Sequence, residues 1–156
     1  MKLTRATRNH LVFEIGRGEK ALLFEMLQLY PLVSPTHHRL SRKSNIAQPR
    51  DHQRLLEESL AAQREENRKH VRALLDEPGR FKSTADGFHF KITRPEIEWL
   101  LQVLNDVRVG SWIALGSPDT QQEEQIVLDE KTAPHVRSME VAGAFEMVFL
   151  DALSGR

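Results

Sequence analysis

One stretch constrains this chain more than any other. Lys91 to Gly116, KITRPEIEWLLQVLNDVRVGSWIALG, holds a helix start, a long apolar face and both tryptophans. Thr93 stands three residues before Glu96, with Arg94 and Pro95 between them. A threonine hydroxyl and a glutamate at that spacing can each satisfy an orphan amide of the other, so Thr93 is the predicted N-cap. At about 100° per residue, Ile97, Leu100, Leu101, Leu104, Val107 and Leu115 share one broad face, while Glu98, Gln102 and Asp106 lie away from it. Such a face must be buried by other elements. Gly116, followed by Ser117 and Pro118, closes the helix, because glycine takes the left-handed cap cheaply and proline cannot continue the turn.

Arg108 breaks the pattern. On the same wheel it points into the apolar face beside Leu101, Leu104 and Trp112, with Asn105 one turn back. An unpaired guanidinium in a dry core costs several kcal/mol, so a carboxylate from another helix is expected. The last helix supplies one: Glu146 falls among Met139, Ala142, Leu150 and Leu153 and also points inward. The two are expected to meet as a buried bidentate pair, with Asn105 completing the hydrogen bonding. The alternative use of the same three residues is a ligand site for an anion or amide.

The remaining elements follow from periodicity and punctuation. Residues 2 to 15 read as a β-hairpin turning at Arg8 and Asn9, with Leu11, Phe13 and Ile15 alternating against Val12 and Glu14. Glu19 to Tyr30 reads as a helix with Leu22, Leu23, Met26, Leu29 and Tyr30 on one face. Residues 35 to 50 form a basic, irregular connection carrying Arg39, Arg42, Lys43 and Arg50, expected to be the most mobile part. A long polar helix runs from Asp51 to about Asp76 on a thin seam of Leu56, Leu60, Val71 and Leu74, interrupted by Gln63 and Asn67. Its other positions alternate acids and bases, as on a solvated face. FKSTADGFHFKI reads as a second hairpin with Asp86 and Gly87 at the turn. The last helix, about His135 to Leu153, carries Val136, Met139, Met147 and Leu150 in a stripe that includes Gly143, where a neighbouring helix can come close.

Composition narrows the chemistry. There is no cysteine, which excludes disulfides, thiolate catalysis and a cysteine-based zinc site. Net charge is zero, yet residues 1 to 50 hold nine Lys/Arg against three Asp/Glu, and residues 119 to 156 hold three against eight. The basic end raises a nucleic-acid reading, in which Arg39, Arg42, Lys43 and Arg50, with Arg5 and Arg8, contact phosphates. The histidines are scattered, and only Glu66 and His70 have helical i,i+4 spacing, so no metal site is nominated. No nucleophile elbow, phosphate loop or dinucleotide fingerprint occurs, and no cofactor is implied. MKLTRATRNH is no leader, and no apolar run is long enough to span a membrane, so the expected location is the cytoplasm. Trp99 and Trp112 lie on different sides of the wheel. Trp99, expected to be the more exposed, implies that a second surface of this helix is covered, by the hairpins or by another subunit; hence a homodimer is entertained.

Three segments, FEIGRGEKALLFEMLQLYPLV, FHFKITRPEIEWLLQVLNDVRVGSWIALG and MEVAGAFEMVFLDALSG, resemble an uncharacterised bacterial domain known mainly from actinobacteria. In that pattern a tryptophan precedes a leucine-asparagine-aspartate-leucine-arginine-leucine run; the matching residues here are Trp99, Leu104, Asn105, Asp106, Val107, Arg108 and Val109. Glu146 matches a glutamate of its last helix. Gly110, Ser111 and Trp112 stand where the pattern has an aliphatic-glycine stretch, and the middle segment is basic rather than acidic. The resemblance implies no established activity. It does imply a link to regulated proteolysis, since members are often encoded beside the adaptor of the Clp protease, and some carry a transcriptional-regulator label.

Taken together, the expectation is a single predominantly α, α+β domain over residues 1–156, with about four main helices in an irregular bundle and one or two small hairpins packed on them. The leading functional expectation is a non-catalytic protein-interaction module. The runner-up is a nucleic-acid-binding regulator, and the third reading is a ligand binder or enzyme around Asn105, Arg108 and Glu146.

Overall fold

The structure is a computed structural model that describes residues 1–34, 49–119 and 126–155. Within them the chain forms strands β1 (Lys2–Ala6) and β2 (Leu11–Gly16), helices α1 (Arg17–Leu29) and α2 (Pro49–Asp76), strands β3 (Phe81–Ser83) and β4 (Gly87–Ile92), and helices α3 (Arg94–Ala114) and α4 (Ala133–Ser154). The fold is α+β and predominantly α, as the periodicity predicts.

Both hairpins form, but they are not separate units. β2 pairs with β4, Leu11 opposite Ile92 and Phe13 opposite Phe90, so all strands join one antiparallel sheet in the order β1-β2-β4-β3. Alternation explains the join: Leu11, Phe13 and Ile15 from β2, and Phe90 and Ile92 from β4, are fully buried on one face, and that register puts them side by side. Gly87 begins β4 opposite Gly16. It serves the sheet rather than the turn, since a β-carbon there would come 2.4 Å from the Ile15 carbonyl oxygen. The turn itself is held by Thr84, whose hydroxyl accepts from the Gly87 amide at 3.1 Å.

The helices cover the buried face of the sheet. Phe149 of α4 meets Phe13 edge to face at 5.4 Å, and α3 lies along α4 with Ile97, Leu100, Val103, Leu104 and Val107 buried. α1 adds Leu23, Met26 and Leu27. Leu29, expected on that face, is 37% exposed, because the helix ends there and Leu27 takes the inward position. α2 begins at Pro49 and stays largely wet, as its thin seam predicts, burying Asn67, Val71 and Leu74. The Asn67 amide donates to the Tyr30 hydroxyl at 3.4 Å.

The largest correction concerns α4. Its buried residues are Ser138, Ala142, Phe145, Phe149 and Ala152; Met147 and Leu150, expected inside, are 65% and 52% exposed. The helix is rotated from the expected stripe because two phenylalanines present more apolar area to the sheet than methionine and leucine, and Ala142 and Ala152 allow close packing against α3.

Candidate functional site

The rotation of α4 places the sequence-nominated residues at its edge. The Arg108 Nε lies 3.0 Å from Glu146 Oε2, and its Nη2 donates to Asn105 Oδ1 at 3.2 Å. The three residues therefore converge, but not as a buried pair: the Arg108 side chain is 47% exposed and that of Glu146 13%, while Asn105 is exposed. The cause is Gly143. A β-carbon there would sit 3.6 Å from Arg108 Cδ, so the arginine stem passes over a helix position without a side chain and carries its head to water. Burial pushes the Glu146 carboxyl above its usual range, against the opposing pull of Arg108.

Arg108 and Glu146, without Asn105, line a shallow groove with Met139, Glu140, Gly143, Met147, Leu150 and Asp151. Its floor is apolar and its rim acidic, with a single arginine. An apolar floor within a charged rim is a composition shared with protein contact surfaces.

A second polar cluster holds the start of α3. Thr93 and Glu96 form the expected capping box, with Glu96 Oε2 accepting from the Thr93 amide and hydroxyl, each at 2.7 Å. Arg80, which no sequence argument nominated, grips the same carboxylate with both terminal nitrogens, at 3.0 and 2.6 Å, and also donates to the Lys91 carbonyl at 2.9 Å. Glu77 completes the cluster. Burial alone would raise the Glu96 carboxyl, but the hydrogen bonds from Arg80 and Thr93 outweigh it and hold the group below its usual range. With its terminal nitrogens committed, Arg80 is a lock between the sheet and α3 rather than a free anion receptor.

Asp106, placed by the wheel away from the core, is a third anchor. Its Oδ1 accepts from the Leu32 and Val33 amides at 2.6 and 3.2 Å, and its Oδ2 lies 3.8 Å from Arg64 of α2. An aspartate one turn before a glycine inside a helix, here Gly110, was the signal available for this docking of a crossing segment.

Both tryptophans are half-buried, so neither stands out as the exposed one. Trp99 packs against His70 of α2 at 5.4 Å, and Trp112 donates through Nε1 to the Pro118 carbonyl at 3.0 Å. The second surface of α3 is thus covered by α2, not by the hairpins, and the tryptophans give no ground for a subunit contact. Arg39, Arg42 and Lys43 lie outside the described residues, as does the connection at 35–48; Arg50 falls in the first turn of α2, its side chain undescribed. Among the described residues, no three histidine, aspartate or glutamate side chains stand close enough to hold a metal ion, and no helix is long and apolar enough to cross a membrane.

Comparison with known proteins finds no matching family model, no matching curated protein and no matching solved structure. The bacterial-domain resemblance therefore rests on the quoted segments alone.

Proposed function

We propose that this chain is a non-catalytic protein-interaction module of the cytoplasm, whose outer α4 face receives a helix of a partner. One observation carries the reading: Met147 and Leu150, on a helix whose other face packs into the core, are 65% and 52% exposed beside the Arg108–Glu146 pair. Exposed methionines adapt to a partner's shape, and an apolar strip with a charged rim is the anatomy of an interface. The polar clusters support the same reading from the other side. Arg80, Glu96 and Asp106 are spent on holding secondary structure together. A link to regulated proteolysis rests on the resemblance alone and enters as the first pathway to examine.

The test is capture from lysate by the immobilised protein, with and without nuclease, comparing the native chain with a Met147→Lys, Leu150→Lys variant that is folded by circular dichroism. Proteins retained by the native chain and lost with the variant support the docking face. Retention that is unchanged by the variant sinks it, and material that vanishes on nuclease treatment turns the argument to the basic segment.

A further inference from the structure

Of the seven phenylalanines, Phe13, Phe90, Phe145 and Phe149 are buried. The other three, Phe24, Phe81 and Phe88, are half-buried, and all three surround one nitrogen. The Lys20 ammonium lies 4.1 Å from the Phe88 ring centre, 4.7 Å from that of Phe81 and 5.2 Å from that of Phe24. Phe81 stands at 68° to Phe24 and at 89° to Phe88, so the rings are walls of a box rather than a stack. None of these residues belongs to the α4 groove.

Local structure builds the box. Lys20 and Phe24 stand one turn apart on α1, hence on one face. Phe81 pairs with Phe90, and Ser83 with Phe88, which puts Phe81 and Phe88 diagonally across β3 and β4 on the same side of the sheet. Phe81 in turn stacks at 4.6 Å and 4° on Phe90, a fully buried ring. One wall is therefore held by the core.

A lysine head group uses such a box poorly. It is a strongly hydrated cation with three N–H donors, and phenyl rings offer those donors no oxygen. Among the described residues no acid pairs with Lys20 and no oxygen accepts from it, so its donors are left to water on the open side. A quaternary ammonium has no N–H to satisfy and spreads its charge over methyl groups that ring faces receive directly. The flexible stem of lysine lets the Lys20 head swing out, and a cation–π contact at a half-exposed site is weak.

We propose that Phe24, Phe81 and Phe88 form a recognition site for a quaternary ammonium group, and that Lys20 occupies it until such a ligand displaces it. The group is carried by small solutes such as choline and by trimethylated lysine side chains, and the rings recognise what the two share. The site is independent of the α4 docking face.

The probe is tetramethylammonium, followed by the upfield movement of its methyl proton resonance, which ring faces cause and simple charge attraction does not. Lys20→Ala empties the box and should bind the probe roughly two- to tenfold more tightly than the native chain, the range set by losing one weak cation–π occupant. In the Lys20→Ala background, Phe24→Leu and Phe88→Leu should each weaken binding with circular dichroism unchanged, since both rings are half-buried and leucine keeps most of the apolar bulk. The neutral isostere of choline, with carbon in place of its nitrogen, should bind clearly less well than choline. Choline and an acetylated trimethyl-lysine amide, titrated side by side, identify the source of the group by the tighter of the two. A folded Lys20→Ala that takes up no tetramethylammonium at about 50 mM overturns the proposal. So do equal binding of the neutral isostere, which makes the box a plain apolar patch, and binding that neither leucine substitution weakens. Equal affinity of the native and Lys20→Ala chains overturns the role given to Lys20.

Discussion

Gly110 of α3 lies directly beneath Leu32, so close that a β-carbon on the glycine would come within 2.4 Å of Leu32 Cβ. One turn earlier, Asp106 holds the Leu32 and Val33 amides. A bare helix position and a carboxylate together let the segment after α1 cross α3 at backbone contact.

Gly110→Ala should therefore destabilise the protein by about 1–3 kcal/mol, since overpacking outweighs the helix preference for alanine. Gly18, a helical glycine with nothing within 4 Å, is the control: Gly18→Ala should be neutral or stabilising by up to ~1 kcal/mol. Urea denaturation of the two variants reads the difference. Equal effects would show that the Leu32 crossing yields freely.

Asp106→Ala removes the acceptor for two amides and the partner of Arg64. A loss of about 1–3 kcal/mol is expected, with hydrogen exchange quickening at Leu32 and Val33 well before it does in β2. Exchange that quickens uniformly would mean that the aspartate does not act locally.

The Glu96 carboxyl is held below its usual range in the folded protein. Its folded value is depressed, so the stability it contributes is present above the unfolded value, about 4.3, and is lost as pH falls through the folded one. Glu96→Gln should be less stable than the native chain at neutral pH and should lose less on acidification. Thermal melts from neutral pH down to about pH 3 test this, and parallel curves for the two proteins would contradict it.

For Arg108 and Glu146 the observed exposure revises the cost expected of a dry pair. A double-mutant cycle with Arg108→Met and Glu146→Gln should give a coupling of about 1 kcal/mol or less, where a buried pair would give roughly 3 or more. The Glu146 carboxyl is raised above its usual range, so its charged form is disfavoured by folding. Glu146→Gln should then be tolerated at neutral pH, where the charged form carries its cost, and its advantage should fade as pH falls to the unfolded value.

Much of the fold was legible because it depends on local signals. The Thr93–Glu96 box, the turn at Arg8 and Asn9, the end of α3 before Gly116 and the wet face of α2 each follow from residues a few positions apart. The errors lie where two elements compete for one space. The wheel for α4 counts Met147 and Leu150 as equals of Phe145 and Phe149, and only packing against Phe13 decides between them. Merging of the hairpins is likewise a long-range choice, invisible until the registers of β2 and β4 are compared. At the candidate site, the meeting of Arg108 with Glu146 and Asn105 was readable from two helical wheels. Its exposure was not, because it depends on the arginine stem passing over Gly143. Arg80 carries no distinguishing pattern in its neighbourhood.

The pairing of β2 with β4 joins the start of the chain to a strand separated from it by all of α1 and α2. Until β4 emerges during synthesis, the N-terminal hairpin has an unpaired edge and an apolar face that α1 alone covers in part. The sheet is therefore completed late, by closure of a long loop rather than by growth from either hairpin, and a chain cut short before Ile92 would hold every residue of β1 and β2 without the means to keep them folded.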